Sequence, residues 1–453
     1  MGDNKIGRRE FLTYSSVLAS AGLIGLNACS NGNRLTPLRK PGEYYVPELP
    51  DKAVDGRELK VGVVGCGGRG RGAMCNLLDA ADGIKVVALG DVFPDAVEKA
   101  KEQLRGRGVV PPADEFCFVG FDACKKVIDS GVDMVILATP PVFRPEHFSY
   151  ATSKGVHSFL EKPIAVDPKG YRQIMATAKQ AEAKGLSVIT GTQRHHQRSY
   201  VESFKKIQEG YIGEITGGNV YWNQGMLWFR ERRKEWSDME WMIRDWVNWE
   251  WLSGDHIVEQ HVHNIDVFMW MSGKKLVKAT SFGARHRRRT GDQFDQFSTD
   301  FLFENDVHVH SMCCQLDGAT TNIREIIQGS KGVWDSKDFT IKDLQGKVIW
   351  QFDTEAEKKE FAQVDPYVLE HVDWVNHIRK GETHVEAAET ADSCMAAIMA
   401  RESAYSGERK RWDDIVASDL CLMPEKVEMG PVDMSSYTVP VPGIEKNRKS
   451  QDL

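Results

Sequence analysis

Residues 59–91 place a strand, a glycine fingerprint, a helix, a second strand and an acid in unbroken order, and this order narrows the fold more than any other feature of the chain. Leu-Lys-Val-Gly-Val-Val at 59–64 reads as a buried strand. Gly65, Gly67 and Gly70 follow at G-x-G-x-x-G spacing, with Gly68 and Arg69 between them. Gly65 permits the tight turn, Gly67 lets the backbone approach a pyrophosphate, and Gly70 allows close helix–strand packing, while the following helix N-terminus favours an anion. Residues 73–78 continue as that helix and 84–89 as a second strand, with Asp91 at its end. An acid about 20 positions beyond the glycines accepts from the adenosine ribose hydroxyls and repels a 2′-phosphate, which favours NAD over NADP. Arg69 argues the other way.

The βα rhythm continues. Residues 121–129 read as helix, 134–138 as an apolar strand ending in Thr139-Pro140-Pro141, 147–154 as helix and 156–160 as strand. The expected fold class is α/β: an N-terminal Rossmann domain with a parallel, doubly wound sheet, whose ligands bind at the carboxyl ends of the strands. At 453 residues the chain is long enough for a second domain. A formal net charge of -7 offers no reason to expect nucleic acid as a partner.

At the end of the 156–160 strand stands Glu161-Lys162-Pro163. Gly-Cys-Gly-Gly-Arg-Gly, the acid after the second strand, Ala138-Thr139-Pro140-Pro141, His147 and Glu-Lys-Pro together resemble the glucose–fructose oxidoreductase/inositol dehydrogenase (Gfo/Idh/MocA) family, from about residue 59 to about 410. The resemblance implies an NAD(P)-dependent oxidoreductase acting on a sugar or glycoside hydroxyl by hydride transfer. It also implies an α/β second domain on a large, mostly antiparallel sheet, and a homodimer or homotetramer. Strands are expected at 217–222, 278–282, 297–303 and 307–315, with further ones at 325–328 and 348–352. The domains are then 59–190 for the nucleotide half, 191–410 for substrate and oligomer contacts, and 411–453 as a C-terminal arm. Thr139, Pro140, His147 and Glu161 are expected to line the cofactor with the glycine loop.

Lys162 matches the family's lysine beside the nicotinamide and the reacting hydroxyl, where a partly desolvated ammonium can stabilise or move a proton. Aligning on His-x-x-Asp puts His263 at the family's catalytic histidine and Asp266 after it. The usual aspartate falls on Glu259, and His261 replaces a usual glycine. If 259, 263 and 266 share a helix face, Glu259 can orient the His263 ring. Two other readings compete: a metal site from His256, Glu259 and His263, which the chemistry does not require, and a polar core helix. Gln193 and Arg194 can hold substrate hydroxyls or form interdomain salt bridges. Tryptophans 222–251 suit sugar faces but serve equally as core. The basic run 285–289 reads as a solvated loop, and His308 and His310 as structural residues.

The N-terminus gives an address. Arg8-Arg9, an apolar stretch over 17–26 and Leu26-Asn27-Ala28-Cys29 resemble a twin-arginine signal ending in a lipobox, so residues 1–29 read as a signal and 30–58 as a linker or arm. The expected location is the periplasmic side of a bacterial membrane, with contact only through a lipid on Cys29. Nine cysteines include Cys29; a protein folded before export is expected to keep the rest as free thiols. Free NAD is scarce outside the inner membrane, which favours a tightly bound, recycled cofactor. One alternative is an NAD-dependent glycosidase working by transient oxidation and elimination; another is a non-catalytic sugar-binding protein.

Overall fold

The computed structural model describes residues 35–40 and 42–443. The chain divides into two units, residues 1–35 and 36–453, and all the described strands and helices lie in the second. Arg8, Arg9 and Cys29, and the tail from residue 444, lie outside the described residues.

In chain order the strands are β1 (Leu59–Val64), β2 (Ile84–Asp91), β3 (Cys117–Val119), β4 (Met134–Leu137), β5 (His157–Leu160), β6 (Ser187–Thr190), β7 (Ile215–Gln224) and β8 (Leu276–Ala284). They continue as β9 (Gln296–Phe303), β10 (Val307–Gln315), β11 (Asn322–Gly329), β12 (Gly332–Asp335), β13 (Thr340–Asp343), β14 (Val348–Gln351), β15 (His384–Val385) and β16 (Lys410–Arg411).

The first sheet has the order β15-β6-β5-β4-β1-β2-β3, with every pairing parallel. Helices cover both faces, so its central strands are apolar throughout: Met-Val-Ile-Leu of β4 is wholly buried. The switch in winding falls between β1 and β4, and the crevice beside it lies above the carboxyl ends of both. The sequence pattern ended this half at residue 190. The sheet takes a further strand from β15, and helix Pro366–Lys380 packs on helix Gly68–Ala80 and β6. Residues 366–385 therefore return to the nucleotide half.

The second sheet has the order β14-β13-β12-β11-β7-β10-β9-β8-β16 and is antiparallel except where β7 lies parallel to β10. Alternating burial along β9 and β10 marks a sheet covered on one face. Helices Val262–Ser272 and Ala387–Ser406 supply that cover, which sets helix Val262–Ser272, bearing His263, between the two sheets. The predicted strands of this half all form; β12, β13 and β16 are additional.

Both arms bind along the body. Leu38 N donates to Gln208 O at 2.9 Å, and Ala53 N to Ala80 O at 2.9 Å. Residues 422–437 cover Met242, Trp249 and Trp251 with Leu422, Val432 and Tyr437. The basic run is exposed at His286, Arg287 and Arg289, as a solvated loop should be, with one exception. Arg288 is buried, donating to Asn248 Oδ1 at 2.7 Å and Gln315 Oε1 at 2.6 Å, because the loop turns inward there and its backbone N–H donates to Asp295 Oδ1. The described cysteines are all free thiols.

Candidate active site

The glycine loop has the shape its spacing demands. Gly65 has φ +88°, and a Cβ there would lie 2.5 Å from the Ala138 carbonyl carbon. At Gly70 a Cβ would sit 1.8 Å from Gly65 O. At Gly67 and Gly68 nothing stands within 4 Å. Gly65 and Gly70 are therefore required by the protein's own packing, whereas Gly67 and Gly68 leave room for a ligand. No side chain caps helix Gly68–Ala80, so its first amides face that space unpaired. Asp91 closes the loop: its Oδ2 accepts from Cys66 N at 2.7 Å and its Oδ1 from Phe93 N at 2.9 Å. Burial pushes its carboxyl above the ordinary aspartate value, while those amides pull the other way. These residues fit a dinucleotide.

Arg69 turns away from Asp91. Its Nε donates to Glu161 Oε1 at 2.5 Å and its Nη2 to Glu370 Oε1 at 3.0 Å, and its guanidinium lies 4.7 Å from the Tyr367 ring centre. Arg144, buried and unmarked by any motif, donates to Thr139 Oγ1 at 3.0 Å, to Thr139 O, and to Glu161 O at 2.9 Å. It thereby fixes the Thr139-Pro140 turn against the Glu-Lys-Pro strand end. His147 meets Thr139 Oγ1 at 3.2 Å. Burial, with Arg144 beside it, drives that ring down to about 3, so it is neutral.

Lys162, 11% exposed, lies at the end of β5, where its peptide to Pro163 is cis. Its Nζ donates to Glu259 Oε1 at 3.0 Å and to the Glu259 carbonyl. Glu259 and His263 do not share one continuous helix. His256–Glu259 is a single turn, His261 N donates to His256 O at 3.1 Å, and a second helix begins at Val262. The break follows from Lys162 engaging the Glu259 carbonyl at the turn's end. The Glu259 carboxylate accordingly goes to Lys162 and to Gln260 Nε2, and no hydrogen bond links it to His263. The ring of His263 stacks on Trp222 with centres 5.7 Å apart, and its nitrogens bond to no described residue. Burial, followed by the charges of Lys162 and Arg194, holds His263 well below the usual histidine range.

Asp266 lies one turn further along. Its Oδ2 pairs with His195 Nε2 at 2.7 Å, and its Oδ1 accepts from Ser393 Oγ at 2.8 Å. Burial opposes a charge on His195, but Asp266 overrides it and the ring is pushed up to about 9. Sequence reasoning gave His195 no role, although its place beside Gln193 and Arg194 was the available signal. Arg194 is an internal ion pair, not a free substrate hook: with Asn264 Nδ2 it donates to Glu325 Oε1, and Tyr200 OH reaches Glu325 Oε2 at 2.9 Å. Gln193 Oε1 is buried without a partner. His256 faces elsewhere, its Nδ1 2.9 Å from Asp255 Oδ1, so His256, Glu259 and His263 do not converge.

Comparison with known proteins agrees with this geometry. Residues 59–190 match the Gfo/Idh/MocA model described as "Oxidoreductase family, NAD-binding Rossmann fold", and residues 202–335 match that family's C-terminal domain. The chain is 24% identical over 357 residues to an inositol 2-dehydrogenase/D-chiro-inositol 3-dehydrogenase of Lactiplantibacillus plantarum, covering 75% of this chain and 91% of that one. It is 27% identical over 183 residues to a glycosyl hydrolase family 109 protein of Streptomyces coelicolor, a match covering 40% of this chain and only 37% of that protein's length. The crystal structure of scyllo-inositol dehydrogenase from Lactobacillus casei with NAD(H) and scyllo-inositol superposes with a TM-score of 0.59 at 20% identity, covering 79% of this chain and 99% of that one. With both halves of the fold matched in order, the chain belongs to the Gfo/Idh/MocA family of NAD-binding oxidoreductases.

Proposed function

We propose that the protein oxidises a hydroxyl of a sugar, glycoside or related polyol by hydride transfer. The observation that carries this is the meeting of Lys162, Glu259 and the unpartnered His263 ring above the carboxyl end of β5, beside the glycine loop. NAD bound in that loop supplies the hydride acceptor. Gly65, Gly67, Gly68 and Gly70 hold the pyrophosphate against the helix amides, and Asp91 accepts from the ribose hydroxyls. Arg69 is occupied by Glu161 and Glu370 and so does not offset the repulsion of a 2′-phosphate by Asp91, which supports NAD over NADP. The neutral His263 ring takes the hydroxyl proton as the hydride leaves carbon. The Lys162 ammonium, held by Glu259, stabilises the developing alkoxide. Gln193, with its Oε1 buried and unpartnered, is the candidate contact for a substrate hydroxyl, and Asp266 acts through His195 as a positioning residue.

A second reading is glycoside cleavage by transient oxidation and elimination. The similarity to glycosyl hydrolase family 109 proteins favours it. The same residues would then remove a proton beside the new carbonyl. Export through a twin-arginine route with lipid at Cys29, a retained and recycled cofactor, and a homodimer or homotetramer complete the proposal. One experiment tests its core. Protein purified without added nucleotide is denatured and its released NAD(H) and NADP(H) are weighed against chain, then paired sugar redox and glycoside cleavage are assayed on wild type, Lys162→Ala and His263→Ala. Near-stoichiometric NAD and loss of turnover in both variants support the reading; turnover at wild-type rate in both variants, with NAD still bound, overturns the site assignment.

A further inference from the structure

At the edge of the nucleotide sheet, away from Lys162 and His263, three segments bring imidazoles and carboxylates together. His196 comes from the turn after β6, Asp373 from helix Pro366–Lys380, and His384 and Glu386 from β15 and the residue after it. His196 Nε2 lies 3.0 Å from Asp373 Oδ2 and 3.7 Å from Glu386 Oε1, and His384 Nε2 lies 3.6 Å from the same Glu386 oxygen. Donors around a tetrahedral ion with bonds of about 2.0–2.1 Å stand about 3.3 Å apart; the three separations above bracket that value, and Asp373 joins two overlapping groups, His196/Asp373/Glu386 and Asp373/His377/His384, each with its ligand atoms within 4.8 Å of one another.

Charge argues for an ion as well. The side chains of Asp373 and Glu386 are 3% and 8% exposed, yet among the described residues neither meets a lysine or an arginine. Two carboxylates so buried need a compensating charge, and the groups that face them are imidazoles, which an ion would use as neutral ligands while supplying that charge itself. The donors also have unfilled positions. His384 Nε2 is buried and makes no hydrogen bond, and Glu386 Oε1 has none either, its companion Oε2 taking Thr190 N at 2.8 Å. An outer layer is in place. Tyr45 of the N-terminal arm donates to Asp373 Oδ1 at 2.7 Å, contacts His377 Nε2 at 2.9 Å, and covers His384 with ring centres 4.0 Å apart. A cavity of about 740 Å³, lined by Tyr45, His196, His384 and Glu386, opens onto the group and gives an ion a way in.

We propose that His196, Asp373, His384 and Glu386 form a structural site for a divalent transition metal of the zinc class, with Tyr45 and His377 orienting Asp373. Mixed imidazole and carboxylate donors suit that class and not magnesium or calcium. The ion would tie the N-terminal arm, helix Pro366–Lys380 and β15 to the turn that carries His195. It takes no part in hydride transfer, so its test is independent of the proposed activity.

The test uses the full chain without a histidine tag, stripped by chelator, desalted and titrated with Zn²⁺ and then Co²⁺. We expect close to one Zn²⁺ retained per chain, and a tetrahedral Co²⁺ spectrum without a thiolate charge-transfer band. His384→Ala should abolish retention. Tyr45→Phe, which removes only an orienting bond, should weaken it about tenfold. His308→Ala, a surface control, should leave it unchanged. Circular dichroism checks that each variant is folded; should His384→Ala not fold, wild-type stoichiometry and Tyr45→Phe decide. Retention below a tenth of an equivalent in wild type, a thiolate band, or full retention in folded His384→Ala overturns the proposal.

Discussion

Lys162 donates to the Glu259 carboxylate at 3.0 Å and to the same residue's carbonyl, joining the end of β5 to the turn that precedes His263. One side chain thus ties the nucleotide half to the start of the helix carrying the proposed proton acceptor. Lys162→Ala removes both the ammonium and this tie. Turnover should fall by about 10²–10⁴-fold while NAD stays bound. Lys162→Arg restores charge without the point geometry and should recover little. Steady-state rates alongside bound-NAD content check both.

His263 is neutral well below the ordinary histidine range, so lowering the pH toward 6 should not charge it. The rate is therefore expected to show no inflection near the usual histidine value of about 6.5. A kcat/KM profile from about pH 5.5 to 8 reads this directly. His263→Ala should lose turnover at every pH.

His195 behaves in the opposite way. Its ring is pushed up to about 9 by Asp266, above its value in the unfolded chain. A raised folded value means protons are bound more tightly in the native state. The pair's stabilisation is therefore complete below about pH 6.5 and is lost as the pH climbs through 9, on the order of 1–3 kcal/mol in all. Asp266→Asn should flatten that slope in denaturant titrations between these limits.

Arg194 shows where the chain's local pattern stops being informative. Gly65, Gly67, Gly70 and Asp91 were legible because strand, turn and acid lie within one βαβ unit, where backbone geometry dictates the residue; Lys162 was legible only through the family resemblance of Glu-Lys-Pro. Arg194's partner Glu325 sits on β11, with no motif around it, and only the closed fold brings them together. The break after Glu259 was hidden for a similar reason: positions 259, 263 and 266 read as one helix face until Lys162, from another element, takes the Glu259 carbonyl. β15, with two residues, is below what periodicity can register.

Arg194→Ala would leave Glu325 buried and without its cation. The cost expected is about 3–5 kcal/mol, with Tm falling accordingly. A mere rise in KM at unchanged Tm would instead mean that Arg194 serves the substrate.

The two kinds of glycine in the loop should separate in experiment. Gly70→Ala forces a Cβ onto Gly65 O and should destabilise the fold by at least about 1–3 kcal/mol. Gly67→Ala meets no protein atom within 4 Å, so Tm should hold while nucleotide affinity drops. Thermal melts with and without NAD distinguish them.

The pairing of Ser187 with His384 has a consequence for how the protein is made. A nascent chain that has released only its first half lacks the edge strand of its nucleotide sheet, and helix Pro366–Lys380 is not yet there to bring Trp374 against Phe159. The nucleotide sheet therefore becomes complete only late in synthesis, after the second sheet has emerged. A chain cut short before residue 366 would keep the glycine loop and Asp91 but lack the edge strand and the helix that brace the sheet behind them.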